Sequence, residues 1–375
     1  MASCTRPIRT LPSAARVLLL LVLFAATARA DGEEPPAPAA PPEQPAPSLV
    51  MRGFGDINLV HRDDASPGGF SLGELDFFVT SELAPDLSVL AEIVLEPQEG
   101  ETPEIEIERF SIRWAPRDAF QVQLGRMHTP LGYWNQAYHH GKWFQTTIDR
   151  PLVYRWEHDG GVLPVHEVGV AALGAFPVGS LSLEYSASVS NGRAAEPEVV
   201  QDFSDVDSHK AVNLWLGLVP RSLRALKLGG VVHFDRVPGV SDAAGATGAT
   251  GAHGPLDERI LGGFVAFTPR RGEALVEVLR VLHEAEDTGA SYSTLGLYVQ
   301  GALKLGRFKP YYRYDYLDVA EGNPFYGAGG TVERHTLGLR YDPWSWAALK
   351  GEYFHESPSR AASVNVLAFQ AAFTF

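Results

Sequence analysis

The densest collection of chemically capable side chains in this sequence lies between residues 128 and 165. The segment reads HTPLGYWNQAYHHGKWFQTTIDRPLVYRWEHDGGVLPV. It carries Lys142, Arg150 and Arg155 among Tyr133, Trp134, Tyr138, Trp143, Phe144, Tyr154 and Trp156. Cations set among aromatic rings in an acid-poor stretch can form a constriction that faces anions. His128, His139, His140, His158 and His166 fall in or beside the same segment. Imidazoles are common metal ligands. Adjacent histidines of an extended loop point apart, however, and no cysteine helps, so neither a metal site nor a cofactor is expected. Covalent catalysis needs a nucleophile within reach of a base. His233 and Ser190 are present, but no spacing joins them into such a constellation, and no enzyme is expected. The glycine run that starts at Gly245 lacks the strand–helix context of a phosphate cradle and reads as a flexible external loop.

These side chains need a frame, and the frame is written at period two. The chain ends with Leu367, Phe369, Ala371, Phe373 and Phe375 on one stripe and Ala368, Gln370, Ala372 and Thr374 on the other. Strict alternation marks a strand whose two faces meet different surroundings. Sixteen such segments are expected, at 49–61, 70–83, 86–96, 104–115, 119–127, 166–176, 180–190, 209–219, 225–237, 258–268, 273–284, 291–304, 307–317, 332–342, 346–356 and 363–375. Most approach the roughly 9–11 residues that a tilted membrane strand requires. Their connections alternate between tight turns, such as Ala84-Pro85 and Pro177-Val178-Gly179, and longer loops. Outer-membrane barrels sort their connections in this way, with tight periplasmic turns and long external loops. The fold class expected is therefore all-β, a transmembrane antiparallel up-and-down barrel. An even strand number puts both ends of the chain on the periplasmic side.

One face of each strand is apolar, as in Leu87, Val89, Ala91, Ile93 and Leu95, or Val212, Leu214, Leu216 and Leu218, and is expected to meet lipid. Tyr312, Tyr314, Tyr316, Tyr341, Trp344 and Trp346 are expected to form an interfacial aromatic girdle. The other face is charged. Asp56, Glu74, Asp76, Glu92 and Glu184 lie on early strands, Arg109 and Arg113 on the fourth, and Lys309, Arg313, Arg334, Arg340 and Lys350 on late ones. Unpaired charges are costly in a dry interior, so a water-filled lumen lined by these residues is expected. Acids early and bases late would set a transverse field across the pore. On that expectation, reversing Arg313 and Arg334 to Glu shifts the reversal potential. Faces stay unassigned for 273–284, where Glu277 and Arg280 fall on opposite stripes.

The N-terminus carries Arg6, Arg9 and Arg16, an apolar run from Val17 to Ala26, and Ala28-Arg29-Ala30. This is the pattern of a cleaved secretory signal over residues 1–30. Residues 31–47, rich in Pro and Ala, are expected to be a disordered tether, leaving 48–375 for the barrel. The whole chain has a formal charge of −14; the signal region holds four arginines and no acid, so the remainder carries −18. That charge disfavours nucleic acid as a partner. Lipid and small hydrophilic solutes or inorganic anions are the partners expected. The one cysteine, Cys4, leaves with the signal.

The stretch RFSIRWAPRDAFQVQLGRMHTPLGYW (109–134) resembles the phosphate-selective porin O and P family. The shared features are a strand, a tight turn, a strand ending in Gly125-Arg126, and the loop start Pro130-Leu131-Gly132. The resemblance implies a sixteen-stranded, usually trimeric porin of the bacterial outer membrane that passes small solutes, often anions. It also implies a place for Arg109 and Arg113 in an arginine ladder, from which the acidic lumen positions depart.

Overall fold

A computed structural model describes residues 47–375 apart from 65, 67, 98–103, 140, 156–160, 198–202 and 241–252. The signal sequence, nearly all of the tether, His140, Trp156, His158 and the Gly245 run lie outside the described residues. Sixteen strands form one closed antiparallel barrel in which each pairs with its sequence neighbours and β1 closes on β16. They are β1 (Ser48–Arg62), β2 (Gly69–Ala84), β3 (Leu87–Glu96), β4 (Glu104–Arg117), β5 (Phe120–His128), β6 (His166–Val178), β7 (Leu181–Ser190) and β8 (Ala211–Pro220). The circuit continues with β9 (Leu226–Val237), β10 (Leu256–Phe267), β11 (Gly272–Ala285), β12 (Ser291–Leu303), β13 (Phe308–Val319), β14 (Gly330–Trp344), β15 (Ala347–Pro358) and β16 (Val364–Thr374). Every expected strand is present, and each boundary falls within two residues of its expected place.

Closure satisfies backbone groups that an open edge would leave bare in lipid. At the seam, Gly53 N donates to Phe375 O at 2.8 Å and Phe375 N donates to Gly53 O at 2.9 Å. The Phe375 ring lies over Gly53, where an added Cβ would fall 2.2 Å from Phe375 Cζ. Gly53→Val should therefore destabilise the barrel by about 1–3 kcal/mol, the usual cost of overpacking. A lower thermal midpoint for the loss of the compact, heat-modifiable gel band would show it.

The outer face is apolar strand after strand. Leu214, Leu216, Leu218, Leu228, Leu261, Val265, Leu337, Leu349, Leu367 and Phe369 all present large apolar surface outwards. Such a continuous surface belongs in lipid rather than water, which makes the bacterial outer membrane the place for this barrel. At the short-turn end, Trp344 and Trp346 stack with centroids 4.9 Å apart, and Phe308 stacks on Tyr341. These residues form a girdle. Tyr312 and Tyr314 instead sit mid-strand on the outer face beside His335, away from the short-turn end. In β11, Glu277 faces inwards and is buried, whereas Arg280 faces outwards and donates to Ser293 Oγ.

Candidate functional site: a loop folded into the lumen

The last residue of β5 and the first of β6, His128 and His166, are direct cross-strand partners. Thr129 N extends the ladder by one bond, donating to Val165 O at 3.0 Å. The chain then leaves the wall. It forms a short helix, α1 (Trp134–Ala137), and a 3-10 turn at Leu152–Tyr154. Backbone and side chains of the loop meet the inward faces of β11 to β15, so the segment folds into the barrel.

The bases of the late strands hold it there. Arg313 is fully buried. Its Nε donates to Asp315 Oδ2 at 2.8 Å, Nη1 to Thr147 Oγ1 and Asp149 O at 2.9 and 2.8 Å, and Nη2 to Arg150 O at 3.1 Å. Arg340 Nη1 donates to the carbonyls of Trp143 and Gln145 at 2.6 and 2.8 Å. Lys350 Nζ donates to those of Lys142 and Thr147, and Lys309 Nζ to Thr146 Oγ1. Arg334 pairs with Glu356 and with loop Asp149. Carboxylates take the loop's donors: Asp315 accepts Leu152 N at 3.1 Å, and Glu352 accepts Ile148 N at 2.9 Å. Loop carbonyls need donors once they leave water, and three basic side chains of the wall, Arg313, Arg340 and Lys350, supply them.

Glu277 is a second buried anchor. It accepts Tyr133 N at 2.6 Å, Trp134 N at 2.8 Å, Tyr154 OH at 2.9 Å and Tyr298 OH. Gly132 of the Pro-Leu-Gly loop start lies beside it with φ +64°, and a Cβ there would fall 2.0 Å from Tyr154 Oη and 2.2 Å from Glu277 Oε2. Both the conformation and the lack of room require glycine. Around this anchor the lumen is dry. Leu131, Trp134, Leu152, Val153 and Tyr154 pack with inward-facing Trp215, Ile260, Phe264, Leu275, Leu279 and Tyr298. Burial pushes the phenols of Tyr133 and Tyr138 above their ordinary range, so both remain neutral.

These contacts revise the expected wall. Arg313, Arg334, Arg340 and Lys350 do lie on inward faces, but all four are buried against the loop or its neighbours rather than bathed in lumen water. A reversal at Arg313 would unseat the loop before it altered any field. Trp134, expected at a constriction, is core. Of the loop cations, Arg150 donates to the carbonyls of Tyr154 and His139, Arg155 pairs with Glu356, and Lys142 lies 3.7 Å from Glu74. On the early strands Asp76 and Glu92 are buried, Arg109 pairs with Glu92, and Asp56 accepts from Asn58 and Glu74 N.

Two cavities share the loop as a wall. One, of about 820 Å³, opens toward the short-turn half and is lined by Arg109, Arg113, Glu184, Lys227, His128 and Tyr133, among others. Arg113 pairs there with neutral Gln121, and Lys227 with Glu184. The other, of about 470 Å³, lies against β1 and β2 and is lined by Asp56, Glu74, Lys142, Asp149, Arg150, Arg155 and Arg334. The first thus brings Arg109, Arg113 and Glu184 together, and the second gathers Asp56, Glu74 and the three loop cations.

The same closed barrel fold is found among solved structures. OmpT of Vibrio cholerae, an outer membrane protein, superposes with a TM-score of 0.61 at 11% identity, over 88% of this chain and 100% of that one. An anion-selective porin from Comamonas acidovorans gives 0.60 at 12% identity, over 88% and 100%. The outer membrane channel DcaP of Acinetobacter baumannii gives 0.58 at 11% identity, over 88% and 97%. The fold is that of the outer-membrane porins. At these identities the likeness concerns the porin fold alone. No family model matches the sequence, and no curated protein matches it.

Proposed function

We propose that the chain is a porin through which small hydrophilic solutes and ions diffuse passively, with its aperture set by the 128–165 loop. The observation that carries this reading is the pair of polar cavities on the two sides of that loop, inside a porin-fold barrel. No covalent step is required; size and wall charge select what passes. Acids and bases are nearly balanced in both linings. The preference for anions is accordingly weak and rests on Arg109, Arg113 and Arg221 in the larger cavity. The resemblance to the phosphate-selective family extends to the loop start, not to a ladder of cations, since most late-strand bases hold loop carbonyls. Assembly as a homotrimer belongs to the same reading and is supported by the trimer form of the Vibrio cholerae neighbour.

A second reading, a barrel plugged by its loop, is favoured by the dry cluster around Trp134 and Tyr154. Reversal potentials in planar bilayers under a salt gradient separate the two. The porin reading predicts a small potential of anion sign that falls toward zero in Arg109→Gln/Arg113→Gln. A potential of cation sign, or one that the double substitution leaves unmoved, contradicts the assigned preference. A bilayer that stays silent supports the plug.

A further inference from the structure

Three histidines, two from strand ends and one from the loop, come together at the foot of the loop. His128 and His166 face each other across the last rung of β5 and β6, and the returning loop lays His139 on that pair. Ring centroids are 3.8 Å apart for His128 and His139, 4.6 Å for His139 and His166, and 5.6 Å for His128 and His166. One ring nitrogen of each lies within 4.8 Å of the other two. A carboxylate joins them. Glu108 pairs with His166 Nε2 and lies 4.0 Å from His139 Nε2. It occupies a bulge in β4, where the register steps from Arg109 opposite Glu92 to Ile107 opposite Ile93 and skips Glu108. Bulges re-aim side chains next to functional sites.

We propose that His128, His139, His166 and Glu108 form a binding site for one divalent transition-metal ion, with Zn²⁺ as its ordinary occupant. Three imidazoles and a carboxylate are a donor set for Zn²⁺ and its first-row neighbours rather than for Ca²⁺ or Mg²⁺. Zinc–nitrogen bonds of about 2.0–2.1 Å place tetrahedral donors on the order of 3.4 Å apart, a separation reached by small rotations from the one observed. The supporting shell is in place. Asn135 Oδ1 lies 2.6 Å from His139 Nδ1, which sets Nδ1 as the protonated nitrogen and leaves Nε2 as the ligand atom. Asn135 Nδ2 donates to the carbonyls of Thr129 and Val165, the residues next to His128 and His166. Nearby guanidiniums brace the backbone and the neighbouring wall: Arg126 donates to Glu108 O, Arg150 donates to His139 O, and Arg109 pairs with Glu92. His128 lines the larger cavity, which gives the ion a wet route in.

A second cluster, His233, Asp235 and Glu258, has similar spacing. There Arg193 Nη1 sits 2.7 Å from Glu258 and already supplies the positive charge, so it serves as the control.

The test is Co²⁺ titration of the detergent-purified full-length barrel, read by visible absorption and followed by displacement with Zn²⁺. One equivalent of Co²⁺ with the strong bands of a four-coordinate nitrogen–oxygen site, bleached by Zn²⁺, is expected. The bands should vanish in His139→Ala and in His128→Gln, whose side chain lies at the wet edge. They should persist in His233→Ala. Asn135→Leu should keep the donors but weaken binding roughly tenfold to a hundredfold, as loss of an orienting partner does. Gel mobility before and after heating reports folding of each variant. Absence of the bands in the unsubstituted protein, their survival in folded His139→Ala or His128→Gln, or their loss in folded His233→Ala overturns the assignment.

Discussion

Replacing residues 134–155 by a short glycine–serine link should raise the single-channel conductance by about threefold, because a sixteen-strand wall encloses a channel that the loop now narrows. The ladder that closes the barrel does not pass through this segment: β5 and β6 pair directly up to His128 and His166. The barrel should therefore still assemble and migrate as a folded species. It should also be less stable. Trp215, Ile260, Phe264, Leu275 and Leu279 lose their cover, and each large apolar side chain returned to water costs roughly 1.5–3 kcal/mol. A wider pore with a lower thermal midpoint is the expected pair of results. A complementary variant fixes the loop instead. Val153 packs so closely on Gly296 that a Cβ added there would fall 2.7 Å from Val153 Cβ. Since Cys4 is the only cysteine of the sequence, cysteines placed at 153 and 296 report this proximity by crosslinking without competition in the barrel.

The second large effect is expected at Arg313. Arg313→Ala should cost about 3–5 kcal/mol, the range for removing one member of a buried ion pair. The substitution strips Asp315 of its guanidinium and three loop acceptors of their donor in one step. The loop should leave its seat, giving a noisier and larger conductance and new protease sites between Thr146 and Arg150. Arg313→Lys should not restore the wild type, because one ammonium cannot reproduce a fork that reaches four acceptors. The double variant Arg313→Ala/Asp315→Ala should lose less than the two single changes together, with a coupling of about 0.5–3 kcal/mol in thermal or chemical unfolding. Additive losses would mean that Arg313 does not act through this pair.

The wall was legible in the sequence because lipid imposes a rule on alternate residues. Leu367, Phe369, Ala371 and Phe373 face out, and Ala368, Gln370 and Ala372 face in, as their polarity dictates. Loop lengths sorted by parity, and the strand number followed. The rule fails where the inner face meets protein instead of water. In β11 the inward face mixes Leu275, Leu279 and Val281, on which the loop packs, with Glu277, while the outward face carries Arg280. Period two alone cannot tell such a strand's faces apart. The same limit hid the role of Arg313, Arg340 and Lys350: their inward position was readable, their carbonyl partners 163 to 208 residues away in sequence were not. The histidine cluster depends on cross-strand register and on the return path of the loop, neither of which leaves a mark in residue spacing. Gly132 is the exception. A glycine two residues after a proline at a strand end was visible, and its positive φ beside Glu277 gives the physical reason for it.

A porin of this shape should carry water past the folded-in loop from one side of the membrane to the other. Single-channel recording of the purified, unsubstituted protein in a planar bilayer tests it most directly. Discrete, long-lived steps, smaller than those of the loop-replaced variant, are the predicted record. A silent bilayer with inserted, correctly folded protein, or steps equal in size to those of the loop-replaced variant, would contradict it.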